Sequence, residues 1–227
     1  MTGLGMLALA SLAFVGSHFL MSHPLRAPMV SALGERGFTL AYSIVSLLTF
    51  GWMIWAYPDA VAYSPQPQWD AGRWGYVAAT LLMWLGSVLF VGSLRRNPAF
   101  PRPGKKIDRI DEPRGVFAIT RHPMMWGFAL WAATHAIVNP TRASLILSAS
   151  IAFLALVGAV LQDSKKERLL GEVWREWRSR TSFIPYDRGL KSADGFALVA
   201  GTLLWLVASW AHQALGGRPA GVFAFFG

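Results

Sequence analysis

The stretch ASLILSASIAFLALVGAVL, residues 143–161, runs for nineteen residues without an Asp, Glu, Lys or Arg. As a helix it would rise about 28 Å, close to the ~30 Å of a bilayer's hydrocarbon layer. Lipid offers no partner for backbone N–H and C=O groups, so such a run reads as a membrane-crossing helix. Five further apolar runs share the absence of those four residue types: residues 4–22, 38–57, 75–94, 123–138 and 195–211. The run 123–138 is the shortest, and only a few residues separate it from 143–161. That pair is expected to form an antiparallel hairpin turning at Asn139-Pro140. The sequence therefore predicts an all-α, polytopic integral membrane bundle of about six transmembrane helices, a single domain over residues 1–227.

Composition agrees. Hydrophobic residues make up 54% and charged residues 15%, against ~25% charged in ordinary soluble domains. Mean hydropathy is +0.39. The chain has no cysteine, which excludes disulfides, thiolate metal sites and a cysteine nucleophile. A net charge of +9 could suggest nucleic acid, but the positions of the cations argue otherwise. Of 21 Lys and Arg residues, eighteen fall in the first, third and fifth loops. Strict alternation of this kind is the positive-inside pattern. It predicts both termini outside and the two large basic loops in the cytoplasm; in a bacterium, outside means the periplasm. The partner is then the lipid bilayer, with no role for nucleic acid. No basic residue precedes the first run and no cleavage pattern follows it, so it reads as a retained helix.

The loops differ in character. The second, with Pro58, Pro65, Pro67 and Trp69, reads as a short connector with an interfacial aromatic. The stretch NPAFPRPG, residues 97–104, is too proline-rich for helix. In residues 163–180 the apolar Leu169, Leu170, Val173, Trp174 and Trp177 recur at helical spacing. This predicts an amphipathic helix that continues the fifth span or lies along the cytoplasmic interface.

Inside the spans the ionisable candidates are few. His18 lies in the first and His135 in the fourth, and an intramembrane ionisable group suggests function. His23, His122 and His212 sit at span ends, where water or headgroups can partner them. His135 shares a helix face with Met124, Phe128 and Trp131, a flat stripe ending in an imidazole. His18 follows Phe14 by one turn. Two neutral imidazoles on different helices, with flat apolar walls, would suit a b-type haem. Its propionates would want cations near the cytoplasmic face, where Arg26, Arg36 and Arg121 are available. The plainer reading makes each histidine an interhelical hydrogen-bond donor, contributing about 0.6–2 kcal/mol, and the stripe simple packing. Depth also matters: His135 lies ~18 Å from the cytoplasmic end of its span and His18 only ~6–10 Å from that end of its own.

Three motifs remain. Arg121-His122-Pro123-Met124-Met125-Trp126-Gly127 opens the fourth span, with Pro123 suited to a helix's first turn. Gly171-Glu172-Val173-Trp174 and Thr181-Ser182-Phe183-Ile184-Pro185-Tyr186 follow. Together with Gly16-Ser17-His18 through Arg26, Gly34-Glu35-Arg36-Gly37-Phe38 and Tyr42-Ser43, they resemble the NnrU family over residues 10–187. The helix at about 195–212 would lie beyond that region. The resemblance implies a bacterial inner-membrane protein linked to denitrification and nitric-oxide metabolism. It also implies kinship with zeta-carotene isomerase, a haem b membrane enzyme, and so an isomerase-like activity on a small hydrophobic or redox substrate. By that resemblance His18 and His135 are the iron ligands, with Arg26, Arg121 and Trp131 around the haem. Ala132 stands where the isomerase has cysteine, so ligand exchange through that thiol is not available here.

A second resemblance points elsewhere. Arg-His-Pro also resembles isoprenylcysteine-type carboxyl methyltransferases, which bind S-adenosylmethionine at the cytoplasmic face. Arg121, His122 and Glu167 match that pattern. Met125 replaces its tyrosine, and Lys166 replaces a glutamate; a Lys cannot accept the hydrogen bonds a Glu accepts. A third reading is a non-enzymatic membrane partner or assembly factor. The sequence displays no nucleophile and no clear acid–base pair that would name a reaction.

The charge pattern predicts that reporter fusions at Gly104 and Leu190 read as cytoplasmic and one at Gln66 as external. A Gly104 fusion reading as external contradicts the orientation.

Overall fold

The computed structural model describes residues 2–100, 107–215, 217 and 219–225. Residues 101–104 of the proline-rich stretch, and Arg218 of the tail, lie outside them. Among the described residues there are eight α-helices and no strand. They are α1 (Gly3–Ser22), α2 (Arg26–Tyr63), α3 (Gly72–Ser93), the short α4 (Val116–Ile119), α5 (Pro123–Val138), α6 (Arg142–Leu170), α7 (Glu172–Arg180) and α8 (Gly195–Ala214). A 3-10 turn, Gly221–Phe225, follows.

Helices α1, α2, α3, α6 and α8 are each long and apolar enough to cross a membrane. The 16 residues of α5 reach ~24 Å, somewhat short of the hydrocarbon thickness. Its lead-in, Thr120, Arg121 and His122, is already buried, so protein shelters the end that lipid does not. The protein is an all-α, multi-pass membrane bundle. Leu47, Leu48 and Trp55 of α2 and Val199 and Val207 of α8 are exposed, as helix faces turned to lipid should be.

The hairpin between α5 and α6 turns where the sequence places it. Thr141 caps α6, its Oγ1 accepting from the Ser144 N–H at 3.2 Å. The second loop docks on this turn: Gln68 N–H donates to the Pro140 carbonyl at 2.9 Å and Trp69 Nε1–H to that of Ile137 at 3.2 Å.

Elsewhere the helices run further than the apolar runs. The first basic loop is mostly helix: α2 starts at Arg26 and bends at Gly34, where φ is +70°, a conformation open chiefly to glycine. The same helix continues through Pro58 to Tyr63. There it packs against the start of α1 so closely that a Cβ on Gly3 would lie 2.6 Å from the Asp59 carbonyl oxygen. Past the fifth span, α6 continues to Leu170 before Gly171, at φ +56°, turns the chain into α7. The apolar face of α7 does not lie on an interface. Trp174 and Trp177 are 0% and 2% exposed, packed with Val88, Leu89, Val116, Phe117 and Ile119.

Helix α3 packs extensively on α5 and α8. It meets α5 at a glycine pair: a Cβ on Gly127 would sit 2.9 Å from the Gly86 carbonyl oxygen. It meets α8 at Gly201, where a Cβ would sit 2.6 Å from Val88 Cα. Such contacts admit no side chain, so α5 and α8 lie at fixed positions on either flank of α3. Gly127→Val or Gly201→Val should destabilise the protein by ~1–3 kcal/mol through overpacking, read as a lowered unfolding temperature in detergent. Gly51→Ala, with nothing within 4 Å of its Cβ position, should be neutral.

Candidate functional site

Call the end of the bundle that carries the α1–α2 turn and α7 the basic end. There the Arg-His-Pro motif forms a buried knot. Arg121 donates from Nε to Asp163 Oδ2 at 2.8 Å, and its Nη2 lies 2.7 Å from the same oxygen as an ion pair. His122 Nε2 lies 3.0 Å from Asp163 Oδ1 and donates to it; Trp174 Nε1–H reaches that oxygen at 3.3 Å. The carboxylate's acceptor sites are thereby filled. The side chains of Arg121 and Asp163 are only 10% and 8% exposed. Backbone carbonyls of the Thr-Ser-Phe-Ile motif complete the knot. Thr181 accepts from Arg121 Nη1 at 3.3 Å, Ser182 from the Arg121 backbone N–H at 2.8 Å, and Phe183 from Trp126 Nε1–H at 2.8 Å. Motifs far apart in sequence thus meet in one place, where they fix the start of α5 against α6 and α7.

Two cavities flank α2, α5 and α6. The inner one, nearer the basic end, encloses about 560 Å3 between α1, α2, α5 and α6; Phe14, His18, Tyr42, Phe50, Phe128 and Lys165 are among its walls. The outer one encloses about 530 Å3 and adds α3, α8 and the tail around Gly221. Tyr57, Tyr76, Trp131, His135, Trp205 and His212 line it. Both volumes fall in the range of cofactor sites, ~300–1,000 Å3.

Three of the four histidines that line the two cavities share one feature. His18 Nδ1 lies 2.7 Å from the Phe14 carbonyl, His135 Nδ1 2.8 Å from that of Trp131 and His212 Nδ1 2.7 Å from that of Ala208. A carbonyl only accepts, so each neutral ring carries its proton on Nδ1 and keeps a lone pair on Nε2. A lone pair on Nε2 is one of the two forms in which a neutral imidazole ligates a metal. His135 stacks on Trp131 with ring centroids 4.1 Å apart, and its centroid lies 6.2 Å from that of His212.

The residues singled out in the sequence separate accordingly. His135 and Trp131 come together in the outer cavity, whereas His18 lines the inner one. Arg26 makes two 3.0 Å hydrogen bonds to Glu35 and lies over the Phe38 ring; Arg121 belongs to the knot. Glu167 pairs with Arg178 and, at 3.7 Å, with Arg175. Sequence reasoning did not find Asp163, Tyr57 and Tyr76, and it gave Tyr42 a place in a motif but no role. It also set His212 aside as a span-end residue, although Trp205, Ser209 and His212 recur at helical spacing on α8. Among the described residues no three His, Asp or Glu side chains gather as a metal-ligand group. A porphyrin iron, already held by four ring nitrogens, needs only the one or two that a pair of histidines supplies.

The family model described as NnrU protein matches residues 6–220. The chain belongs to that family, and the match extends past residue 187 to take in α8 with His212. No curated protein and no solved structure matches the chain.

Removing one partner of a buried ion pair leaves the other uncompensated. Asp163→Ala should therefore cost ~3–5 kcal/mol, seen as loss of folded protein or a steep fall in unfolding temperature. The more exposed Arg26–Glu35 pair offers the contrast: Glu35→Ala should cost no more than ~1 kcal/mol.

Proposed function

We propose that this NnrU-family membrane protein holds haem b in its outer cavity, between His135 and His212. We place its role in nitrogen-oxide or related redox metabolism at the inner membrane of a bacterium, with both termini periplasmic. The observation that carries the reading is the histidine pair: two imidazoles of one tautomer, on two helices, 6.2 Å apart between centroids. The Nε2 lone pairs of His135 and His212 would hold the iron from two helices. The walls support it too: Trp131, Tyr57, Tyr76 and Trp205 offer flat apolar surface to a macrocycle. The buried Trp205 Nε1–H has no hydrogen-bond partner among the described residues and can donate to a polar edge.

Bound haem b would supply an iron centre that changes oxidation state by one electron. The chain's own groups hold and orient it. The Trp131 and Ala208 carbonyls fix the tautomers of the two histidines. The helix contacts at Gly127 and Gly201 set the separation of α5 and α8. The tail residue Gly221 closes over one side, where its carbonyl accepts from Thr80 Oγ1 at 3.4 Å.

The pairing implied by the resemblance, His18 with His135 on one iron, competes with this one. It requires two residues that line different cavities to meet across one macrocycle. Methyl transfer would call on Arg121 and Glu167 to grip S-adenosylmethionine, and each is already paired within the chain. A non-enzymatic partner or assembly role needs neither cavity.

The test is the visible spectrum of protein purified in detergent. Wild type should show the sharp reduced bands of a low-spin b haem. His135→Ala and His212→Ala should each lose haem or turn high-spin, while His18→Ala keeps the spectrum. Loss in His18→Ala with retention in His212→Ala would transfer the site to the His18–His135 pair. Wild-type protein that takes up no haem, yet binds S-adenosylmethionine through Glu167, would sink the haem reading altogether.

A further inference from the structure

The inner cavity is unlike the outer one. Its apolar walls, Phe14, Phe50, Phe128 and Leu154, converge on a cluster of polar groups at the basic end. Leu47, which also lines it, is 70% exposed on the outer side of α2. The cavity therefore opens sideways between helices, where lipid-soluble molecules can enter.

The hydrogen-bonding character of the polar end selects what enters. His18 carries its proton on Nδ1, bonded to the Phe14 carbonyl at 2.7 Å, so Nε2 can only accept. His23 Nε2 lies 3.5 Å from the Leu161 carbonyl and donates to it in the tautomer that carries the proton on Nε2. Its Nδ1 is then a second lone pair, buried and with no partner among the described residues. An unmet buried acceptor is unfavourable, so it favours a ligand that brings a donor. Tyr42 receives a 3.4 Å hydrogen bond from Ser22 Oγ, which leaves its own O–H to donate. The site thus presents two imidazole acceptors, donors at Tyr42 and Lys165, and Gln162 and Ser46, which can do either.

We propose that the inner cavity is a binding site for a lipid-soluble quinol, with the hydroxylated ring at His18, His23 and Tyr42 and the tail between the phenylalanines. A quinol brings two O–H donors for the two histidines and oxygens that also accept from Tyr42. The corresponding quinone has acceptors only: it meets Tyr42 and confronts two lone pairs. A fatty-acid anion likewise confronts both lone pairs, with Lys165 and the Tyr42 O–H in its favour. The inference rests on the placement of iron in the outer cavity, which leaves His18 without a metal.

The experiment is anaerobic calorimetric titration of the detergent-solubilised protein with decylubiquinol, decylubiquinone and oleate, with the visible spectrum recorded on each sample. The quinol should bind at least tenfold more tightly than the quinone. His18→Phe and His23→Phe should each abolish that preference. His18→Gln, which restores an acceptor, should recover part of it should the Phe variant fold poorly, and Lys165→Met should leave it unchanged. Equal affinity for the two redox forms overturns the proposal. So does binding of oleate alone, lost in Lys165→Met. Loss of the haem spectrum in His18→Phe would instead overturn the iron placement, and the His23→Phe titration would still decide the quinol site.

Discussion

One buried carboxylate organises the basic end of this bundle. Asp163 accepts from Arg121, His122 and Trp174 at once, joining α5, α6 and α7 through a single side chain. A buried ion pair is weak evidence for net stability, because desolvation opposes the Coulomb attraction. Its better-attested use is to fix register, and here register is what α5 needs. With only 16 residues, α5 is held by less lipid contact than its neighbours, and an apolar face alone would tolerate rotation. The knot removes that freedom. Once Arg121 and His122 are set, Phe128, Trp131 and His135 follow at fixed angles along one stripe.

The glycine contacts of α3 transmit that order outward. Gly86 against Gly127, and Val88 against Gly201, bring backbones together where side chains would keep them apart. Small residues serve this purpose widely in membranes, where packing rather than the hydrophobic effect joins helices. With α5 and α8 on either flank of α3, His135 and His212 face each other at the far end. Helix α1, packed on α2 and α6, instead carries His18 into the inner cavity. The two cavities thus lie along α2, α5 and α6, one with paired imidazole lone pairs and the other with a phenol and two acceptors.

Much of this was legible in the sequence, for a physical reason. Lipid imposes an apolar length on each span, so the six runs, the hairpin at Asn139-Pro140 and the all-α bundle follow from composition alone. What was hidden depends on rotation and on partners distant in sequence. Nothing local says that Asp163, two residues beyond the apolar run of α6, closes on Arg121. Nothing marks Trp174 and Trp177 as protein core rather than interfacial aromatics. Pro58 reads as a loop signal, yet it sits within α2, where that helix meets Gly3. His212 ends a span and is exposed there, as the sequence suggests; what stays hidden is its neighbour across the cavity, His135, on a helix separated from it by most of α6, α7 and α8. Single-span reasoning finds histidines but does not pair them.

The central claim is a position: iron at the far end of the bundle, not beside His18. The absence of native cysteine makes that position measurable, since one introduced cysteine gives one spin label. Nitroxides at Gln66, at the far end, and at Leu190, at the basic end, would be compared in haem-loaded ferric protein. The measurement is the relaxation that the iron induces in each label. The account predicts strong enhancement at Gln66 and weak enhancement at Leu190; the reverse order, or equal enhancement at both, contradicts it.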